Sequence, residues 1–538
     1  MLESFQRLVP YNLEVGSAAL AILATFLGLH ALRRLVSLVR IARTPSPFPK
    51  LYTPFQPFTV PGALISTSFW NHGPDWHWVR RFQTYHQNET VNLVPILAGV
   101  PGLWTSSIEI GRQTIPGSQR SSFVKPDRLS LALLAWGMNI VSADGAVHRK
   151  HRRIVSPSFG PELYQLVWTK TAEFYRDMLE VEGWNHKNSV DVPAVTNITT
   201  KVAFLLISTC GFGFPSTWDT PPTAPDGGMS IQEALKIVTQ TSVVDVVIPK
   251  WLWYLPIPSL REARIARERL HAFMKEQVAD RKAAVAAETK DTRTDIFTLM
   301  VKANEDESAK YQLEDQELIG NIFVLLFAGH ETTANSLAVT LAFMAIDVNL
   351  QNEVLRQITS VLGSRHELQY DDYPKLDKVL ACFYEAIRIV PAGHVLIREA
   401  TEDTVITVPN PVGEEGTQAI PIAKGTEIMV DMVGVQYNPR YFKDPTVYKP
   451  SRWYGLPPES EQFTAFSVGP RACLGRKFAT VEATCFLSHL LKDWQVQPVL
   501  LPGESNEAWI ARIINKSRVS LTLTIGEFPL RFVRRQPA

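Results

Sequence analysis

The sequence predicts a mainly α-helical protein with small β-sheets, in which one large folded unit follows an N-terminal membrane helix. Three observations support this: an uncharged apolar run at residues 15–32, helical spacing of apolar residues through much of the chain, and no linker or repeat beyond residue 62. The chain has 538 residues, of which 45% are hydrophobic and 20% are charged. This usage is that of an ordinary globular protein and excludes disordered and multi-spanning membrane classes.

Charge balance and cysteine content narrow the function classes further. Lys and Arg number 54 against 53 Asp and Glu, a formal net charge of +1, so no overall field favours binding to nucleic acid. Four cysteines are too few for a disulfide framework and indicate a reducing compartment. A special cysteine in such a compartment is reactive or bound to a metal.

The first element is the apolar run at residues 15–32, which is just long enough to cross a bilayer. Positive charge is concentrated on its C-terminal flank, which carries Arg33, Arg34, Arg40 and Arg43. This asymmetry predicts a single-pass anchor with the body of the protein in the cytosol. A buried core helix is the alternative. The acidic residues before the run disfavour a mitochondrial presequence, and no cleavage pattern indicates a signal peptide.

The next segment is rich in proline, at positions 45, 47, 49, 54, 57 and 61. Proline locks φ and removes an N–H donor, so we expect a stiff, non-helical tether. The predicted organisation is therefore an anchor at residues 1–40, a hinge at 41–62 and the main body at 63–538.

Within the body, the spacing of apolar residues predicts three helices, at residues 259–286, 318–348 and 474–491. The second is apolar on nearly all faces, as expected of a helix buried in a large domain. Alternating apolar and polar residues predict short strands at residues 404–408, 427–430 and 519–525.

One of the four cysteines differs from the rest. The other three, Cys210, Cys382 and Cys485, lie in apolar helical contexts and are predicted to be structural. Cys473 instead lies in the loop FSVGPRACLG, residues 466–475, directly before the third predicted helix. The positive end of a helix, backbone N–H groups and a nearby arginine all favour a thiolate, the form that binds metal.

This loop resembles the haem-binding loop of the cytochrome P450 family. The resemblance implies the cytochrome P450 fold and a haem b whose iron has the Cys473 thiolate as axial ligand. It assigns Phe466 to shielding the sulfur, Gly469 to a tight turn, Gly475 to close approach of the backbone and Arg471 to a haem propionate.

A second motif lies in the long apolar helix, at FAGHETT, and resembles the family's oxygen-activating helix. The resemblance places Ala328 beside the haem and makes Glu331 and Thr332 the acid and alcohol that deliver protons. Gly329 is expected to weaken the helix and leave room for dioxygen and water. A buried helix with satisfied polar residues is the alternative for this heptapeptide alone.

A zinc site of the His-Glu-x-x-His type is excluded at the same place, because Ala334 stands where the second histidine is needed. A dinucleotide fingerprint is also missing, since Gly211 and Gly213 are not followed by the third glycine. The electrons are therefore expected to come from a separate protein.

Two further sets of residues match the family pattern. The first is an ion network of Glu385, Arg388 and Arg452, which is expected to be buried and to support the cysteine loop. The second set would contact the haem propionates together with Arg471, and consists of Arg152, Arg398 and His148. His148 stands where many members of the family have tryptophan, so its contact is expected to depend on pH.

The resemblance implies a haem-thiolate monooxygenase that inserts one atom of O₂ into a hydrophobic small molecule, such as a terpenoid or another secondary metabolite. The implied partners are NADPH-cytochrome P450 reductase, cytochrome b5 and the membrane of the endoplasmic reticulum. By family analogy the pocket is lined by residues 112–128, 321–328 and 390–397 and by a turn at residues 510–514. The alternatives are a haem-thiolate isomerase or dehydratase and a membrane-tethered haem sensor or carrier.

Overall fold

The computed structural model describes residues 8–115, 121–214, 216–219, 228–231, 233–238, 241, 253–287, 295–306, 310–411, 413–457, 460, 462–519 and 521–536. Its α-helices are Leu8–Arg43 (α1), Val60–Leu64 (α2), Trp76–Val79 (α3), Ile108–Thr114 (α4), Leu131–Leu134 (α5), Gly145–Val155 (α6), Pro161–Val181 (α7), Val195–Leu206 (α8), Pro258–Ala286 (α9), Ile296–Glu305 (α10), Asp315–Ala345 (α11), Val348–Leu362 (α12), Asp377–Ile389 (α13), Met432–Gln436 (α14), Arg476–Asp493 (α15) and Asn506–Asn515 (α16). The three helices predicted from apolar spacing are confirmed as α9, α11 and α15.

The strands are Lys50–Phe55 (β1), Thr90–Ala98 (β2), Gly102–Thr105 (β3), Phe123–Val124 (β4), Ser189–Val192 (β5), Val395–Ala400 (β6), Thr404–Pro409 (β7), Thr417–Ile422 (β8), Glu427–Asp431 (β9), Trp494–Pro498 (β10), Arg518–Val519 (β11), Leu523–Thr524 (β12) and Leu530–Arg534 (β13). A six-stranded sheet has the order β1-β2-β3-β9-β6-β4 and a three-stranded sheet the order β10-β13-β5, while β7-β8 and β11-β12 are hairpins. The mainly helical class with small sheets is thus confirmed.

Helix α11 passes through the centre of the main core, where it packs against α8 and α13. A side chain at Gly329 would place its Cβ 2.8 Å from Ile207, in the π-helical turn Ile207–Gly211 that continues α8. Glycine is therefore needed here for close helix packing. Among the residues searched in the described part of the chain, α11 is the helix long and apolar enough to cross a membrane, but it is mostly buried.

Helix α1 contrasts with α11, because large apolar side chains along it are exposed, including Ile22, Phe26, Leu32 and Leu35. Its C-terminal part is attached to the large sheet by Arg34, whose guanidinium donates to three backbone carbonyls at the end of β2: Pro95 at 3.1 Å, Ile96 at 3.2 Å and Gly99 at 2.7 Å.

The structure also shows where the folded body begins. Within the segment predicted to be a hinge, β1 pairs in parallel with β2, and Lys50 donates to the carbonyls of Ile41 and Thr44 near the end of α1. The short helix α2 follows, capped by Thr59. Proline is tolerated in β1 because that strand lies at the edge of the sheet. The body therefore begins near residue 50, before the predicted boundary at residue 62.

Candidate active site

The cysteine loop is built from tight turns that fix the backbone position of Cys473. The 3-10 turn Gly469–Arg471 begins with Gly469 at φ +65°, a left-handed conformation that suits glycine. The Cys473 N–H then donates to the Phe466 carbonyl at 2.9 Å, and helix α15 begins three residues after the cysteine. Cys473 is exposed, whereas Cys210, Cys382 and Cys485 are buried.

The ionisation of this thiol is set by opposing influences. The surrounding protein raises its pKa, while backbone N–H groups of Gly475 and Arg476 and the positive charge of Arg152 lower it. Burial raises the pKa of the other three thiols with far less opposition. Cys473 is thus the cysteine suited to bind a metal in this structure.

A group of basic side chains, here called the cationic cluster after its arginines, lies in the cysteine loop, on α6, on β6 and in the segment after β4. Its members influence one another's pKa values and comprise Lys125, His148, Arg152, Arg398 and Arg471. Asp144 is the acid that opposes them; it accepts from Arg471 and from the Lys125 N–H at 2.7 Å. This excess of positive charge fits the two propionates of a haem.

The members of this cationic cluster are held in place by backbone carbonyls. Arg152 donates to Ala472 of the cysteine loop at 2.9 Å, Arg471 donates to Ala143 at 2.7 Å, and Arg398 donates to its neighbour Ile397 at 2.7 Å. The loop before α6 and the cysteine loop are therefore tied directly to each other.

Two residues of the cluster have pKa values that differ from expectation. Burial, together with Arg471 and Arg152, lowers the pKa of His148 to about 4, so its imidazole is neutral near pH 7. The dependence of a His148–propionate contact on pH stays a prediction. Burial and the charges of Arg398 and Arg471 instead lower the pKa of Lys125 to about 7. The sequence does not single out Lys125, because no local pattern places it beside arginines from distant segments.

The FAGHETT motif lies in the middle of α11, which runs without a break. The helix stays continuous at Gly329, so the expected opening is absent. The Thr332 hydroxyl donates to the Ala328 carbonyl at 2.7 Å without interrupting it. Burial raises the pKa of Glu331, and the nearby Thr522 hydroxyl lowers it. Glu331 thus faces the β11–β12 hairpin, a neighbour that the sequence did not predict.

The predicted ion network is assembled and fully buried at its centre. Arg388 donates to Glu385 through Nε at 2.9 Å and Nη2 at 2.8 Å, and Arg452 Nε donates to the same carboxylate at 3.0 Å. Trp453 Nε1 also donates to it, at 2.8 Å. The Trp453 ring packs edge-on against Phe463, which in turn contacts Phe466. The network therefore reaches the cysteine loop through aromatic contacts.

The predicted pocket segments have mixed outcomes. Residues 116–120, within the first of them, lie outside the described residues. The turn expected at residues 510–514 is wrong: this segment belongs to α16, which Ser505 caps. Trp509 and Ile513, four residues apart on one helical face, are buried in the main core.

Comparison with known proteins gives a consistent result. A family model described as cytochrome P450 matches residues 119–517. Cytochrome P450 monooxygenase 124 of Postia placenta is 34% identical over 424 residues, covering 78% of this chain and 80% of the relative. Cytochrome P450 monooxygenase ORF6 of Penicillium roqueforti is 26% identical, covering 86% and 84%. A crystal structure of the cytochrome P450 CYP102L1 aligns with a TM-score of 0.65 at 19% identity, covering 86% of this chain and 98% of that chain, a likeness of fold alone.

Proposed function

The chain belongs to the cytochrome P450 family of haem-thiolate monooxygenases, and from this premise we propose that it hydroxylates a hydrophobic small molecule of the terpenoid or secondary-metabolite type. The carrying observation is that the exposed residue Cys473 lies beside a cationic cluster that has one opposing acid. Haem matches both features, because its iron takes a thiolate ligand and its two propionates pair with the cationic cluster. A metal ion alone would match only the cysteine.

In this proposal Cys473 binds the iron of haem b, and the N–H groups of Gly475 and Arg476 stabilise its negative charge. Phe466 shields the sulfur from water. The propionates are held by Arg152, Arg398 and Arg471, with His148 and Lys125 beside them. When bound, the haem supplies the iron chemistry that activates O₂ and oxidises a C–H bond.

In this proposal, two residues of α11 bind and transfer protons during the reaction. Thr332 holds a water through its hydroxyl, and Glu331 exchanges a proton with that water. The raised pKa of Glu331 keeps a larger fraction of this carboxyl protonated near neutral pH. In the whole reaction, substrate, O₂, NADPH and a proton give hydroxylated product, water and NADP⁺.

The electrons are proposed to come from NADPH through a separate NADPH-cytochrome P450 reductase, with cytochrome b5 as a second donor. Family membership implies a redox partner, a substrate and O₂. The identity of the reductase and the use of NADPH are inferences from the eukaryotic character of the curated fungal relatives.

We place the protein in the membrane of the endoplasmic reticulum, with α1 as the anchor and the body in the cytosol. The exposed apolar side chains of α1 and the arginines after residue 32 support this orientation. Asn88, Asn197 and Asn515 each begin an Asn-x-Ser/Thr pattern, and a cytosolic body leaves them unglycosylated. A glycosidase-sensitive shift in gel mobility of microsomal protein would contradict the orientation.

The test of function is expression of the full chain with and without a reductase, followed by metabolite profiling and a carbon monoxide difference spectrum. A monooxygenase gives a new product that depends on both NADPH and O₂. Product without an electron donor indicates an isomerase or dehydratase, and haem binding without any product indicates a sensor or carrier. Cys473→Ser is expected to lose the thiolate band, whereas Cys382→Ala, at a buried cysteine, keeps it.

A further inference from the structure

The β11–β12 hairpin is fixed against α11 by the residues that directly follow Thr522. Asn335 donates to the Leu523 carbonyl at 3.1 Å and accepts from the Ile525 N–H at 2.6 Å. The Leu523 N–H donates to the Ala392 carbonyl at 3.0 Å. The residue next to Thr522 therefore has both of its backbone polar groups engaged, so the position of Thr522 is set by the fold.

Glu331 lies one helical turn before Asn335, on the same face of α11. This face contacts the hairpin, and the Thr522 hydroxyl is the side-chain group that lowers the pKa of the Glu331 carboxyl. Thr522 itself is only 7% exposed. The hairpin thus presents one buried hydroxyl to one largely enclosed carboxyl.

Two polar atoms at this contact lack a hydrogen-bond partner within the described residues: Glu331 Oε2 and Thr522 Oγ1. Leaving buried polar atoms unpaired is costly, so a direct bond after a small rotation, or a shared water, is strongly favoured. Neither the ion network around Glu385 nor the cysteine loop uses these atoms.

We propose that Thr522 is a positioning residue for Glu331: its hydroxyl holds the carboxyl, directly or through one water, where it exchanges a proton with the water at Thr332. This rests on the monooxygenase function proposed above. The contact joins α11 to a hairpin about 190 residues further along the chain, and it makes the efficiency of proton delivery depend on how the hairpin is seated.

The surroundings of Glu331 leave few other groups to set its protonation. In the described part of the chain, the resolved influences on its pKa are burial, which raises it, and Thr522, which lowers it. The adjacent His330 binds the Leu326 carbonyl and packs edge-on against Phe204. Burial lowers the pKa of His330, so this ring is neutral near pH 7.

The first test is infrared spectroscopy of the ferric holoenzyme, using the difference between wild type and Glu331→Gln to isolate the Glu331 carboxyl band during a pH titration. Thr522→Val removes the hydroxyl at nearly constant volume. We expect its Glu331 titration midpoint to move to higher pH, because a group that stabilises the carboxylate is lost. Thr522→Ser keeps the hydroxyl and is expected to titrate as the wild type does.

Thr524→Val is the matched control, since Thr524 lies in the same hairpin and its hydroxyl faces the Arg518 carbonyl instead. It should leave the Glu331 titration unchanged. An unchanged midpoint in Thr522→Val, or an equal shift in Thr524→Val, overturns the contact. This measurement does not depend on substrate or turnover, so it judges the contact even if the proposed function fails.

The second test measures product formation against pH, with the substrate found by metabolite profiling. Thr522→Val is expected to lower the product formed per NADPH about fivefold at pH 7, the loss that corresponds to one hydrogen bond. The alkaline limb of its profile should move to higher pH. In the Glu331→Gln background, Thr522→Val should have no further effect. A wild-type profile in Thr522→Val refutes the role in the reaction, and a wild type without NADPH-dependent product refutes the function itself.

Discussion

Two glutamates of this protein, Glu385 and Glu331, differ in how their carboxyl groups are accommodated. Glu385 is fully buried and accepts hydrogen bonds from Arg388, Arg452, Trp453 and the Lys449 N–H. Glu331 is largely enclosed, has an unpaired oxygen and has a raised pKa. A carboxylate saturated with donors holds structure together, whereas one with few donors remains able to take up and release a proton.

Glu385→Gln is the substitution expected to have the largest effect, and it tests the structural half of the contrast. It leaves the charge of Arg388 buried without its partner, so we expect a loss of about 3–5 kcal/mol in the free energy of unfolding. Urea unfolding and haem content per chain measure it. A fully stable, haem-loaded Glu385→Gln protein would show that Glu385 is not the centre of the network.

Glu331→Gln tests the second half of the contrast, the role of Glu331 in proton exchange. It removes a proton-exchanging group without leaving a buried charge, so the urea midpoint should stay close to that of wild type. Product formation should fall about a hundredfold, the usual contribution of a positioned acid or base. If this variant instead unfolds as readily as Glu385→Gln, the two glutamates do not differ in the way described.

Thr332→Ala sharpens the contrast further, because it alters the proposed water site and leaves both carboxyl groups in place. We expect peroxide released per NADPH to rise about fivefold, since one hydrogen bond to the water is lost. The carbon monoxide spectrum should not change. Ser336→Ala, whose hydroxyl donates to the Thr332 carbonyl, is the control and should remain coupled. Equal uncoupling in both variants would exclude a specific role for Thr332.

The smallest expected effect concerns a basic residue instead of an acidic one: Lys125 of the cationic cluster should make haem affinity depend on pH. The pKa of Lys125 is lowered to about 7 in the absence of an anion, and a bound propionate would raise it, so haem binding takes up a proton. Haem affinity should therefore fall as pH rises above about 7, by less than tenfold per pH unit. Haem loss from the holoenzyme to excess apomyoglobin measures this dependence.

Two variants distinguish the source of that pH effect. Lys125→Met should remove most of the dependence, because the titrating group is gone. His148→Gln should preserve it, because burial and the neighbouring arginines lower the pKa of this imidazole to about 4, far below the range of the effect. The opposite pattern would assign the effect to His148.

What the sequence predicted well was local. The turns around Cys473 depend on glycine and proline within ten residues, and the pair Glu385 and Arg388 lies on one face of one helix. Contacts between distant segments could not be read in this way. The seating of Glu331 on Thr522 depends on a loop that must first fold back across the molecule, and the low pKa of Lys125 depends on arginines that β6 and the cysteine loop bring to it. The spacing of residues along the chain does not predict such contacts between distant segments.

Contacts between distant segments also explain two wrong local predictions, the turn at residues 510–514 and the opening of α11 at Gly329. The segment at residues 510–514 looked like a turn, but Trp509 and Ile513 are drawn into the core as one face of a helix. Gly329 looked like a weak point in α11, whereas its lack of a side chain admits Ile207 of the neighbouring helix. In both cases the partner surface determined the outcome.

The attachment of Arg34 to the end of β2 has a consequence for making a soluble form of this protein. Cutting the chain after residue 43 would remove the apolar helix, but it would also leave the carbonyls of Pro95, Ile96 and Gly99 without their donor. Cutting at residue 32 discards the apolar run and retains the arginine. The shorter deletion is therefore the better starting point for crystallisation, because it leaves the end of β2 as it is in the full chain.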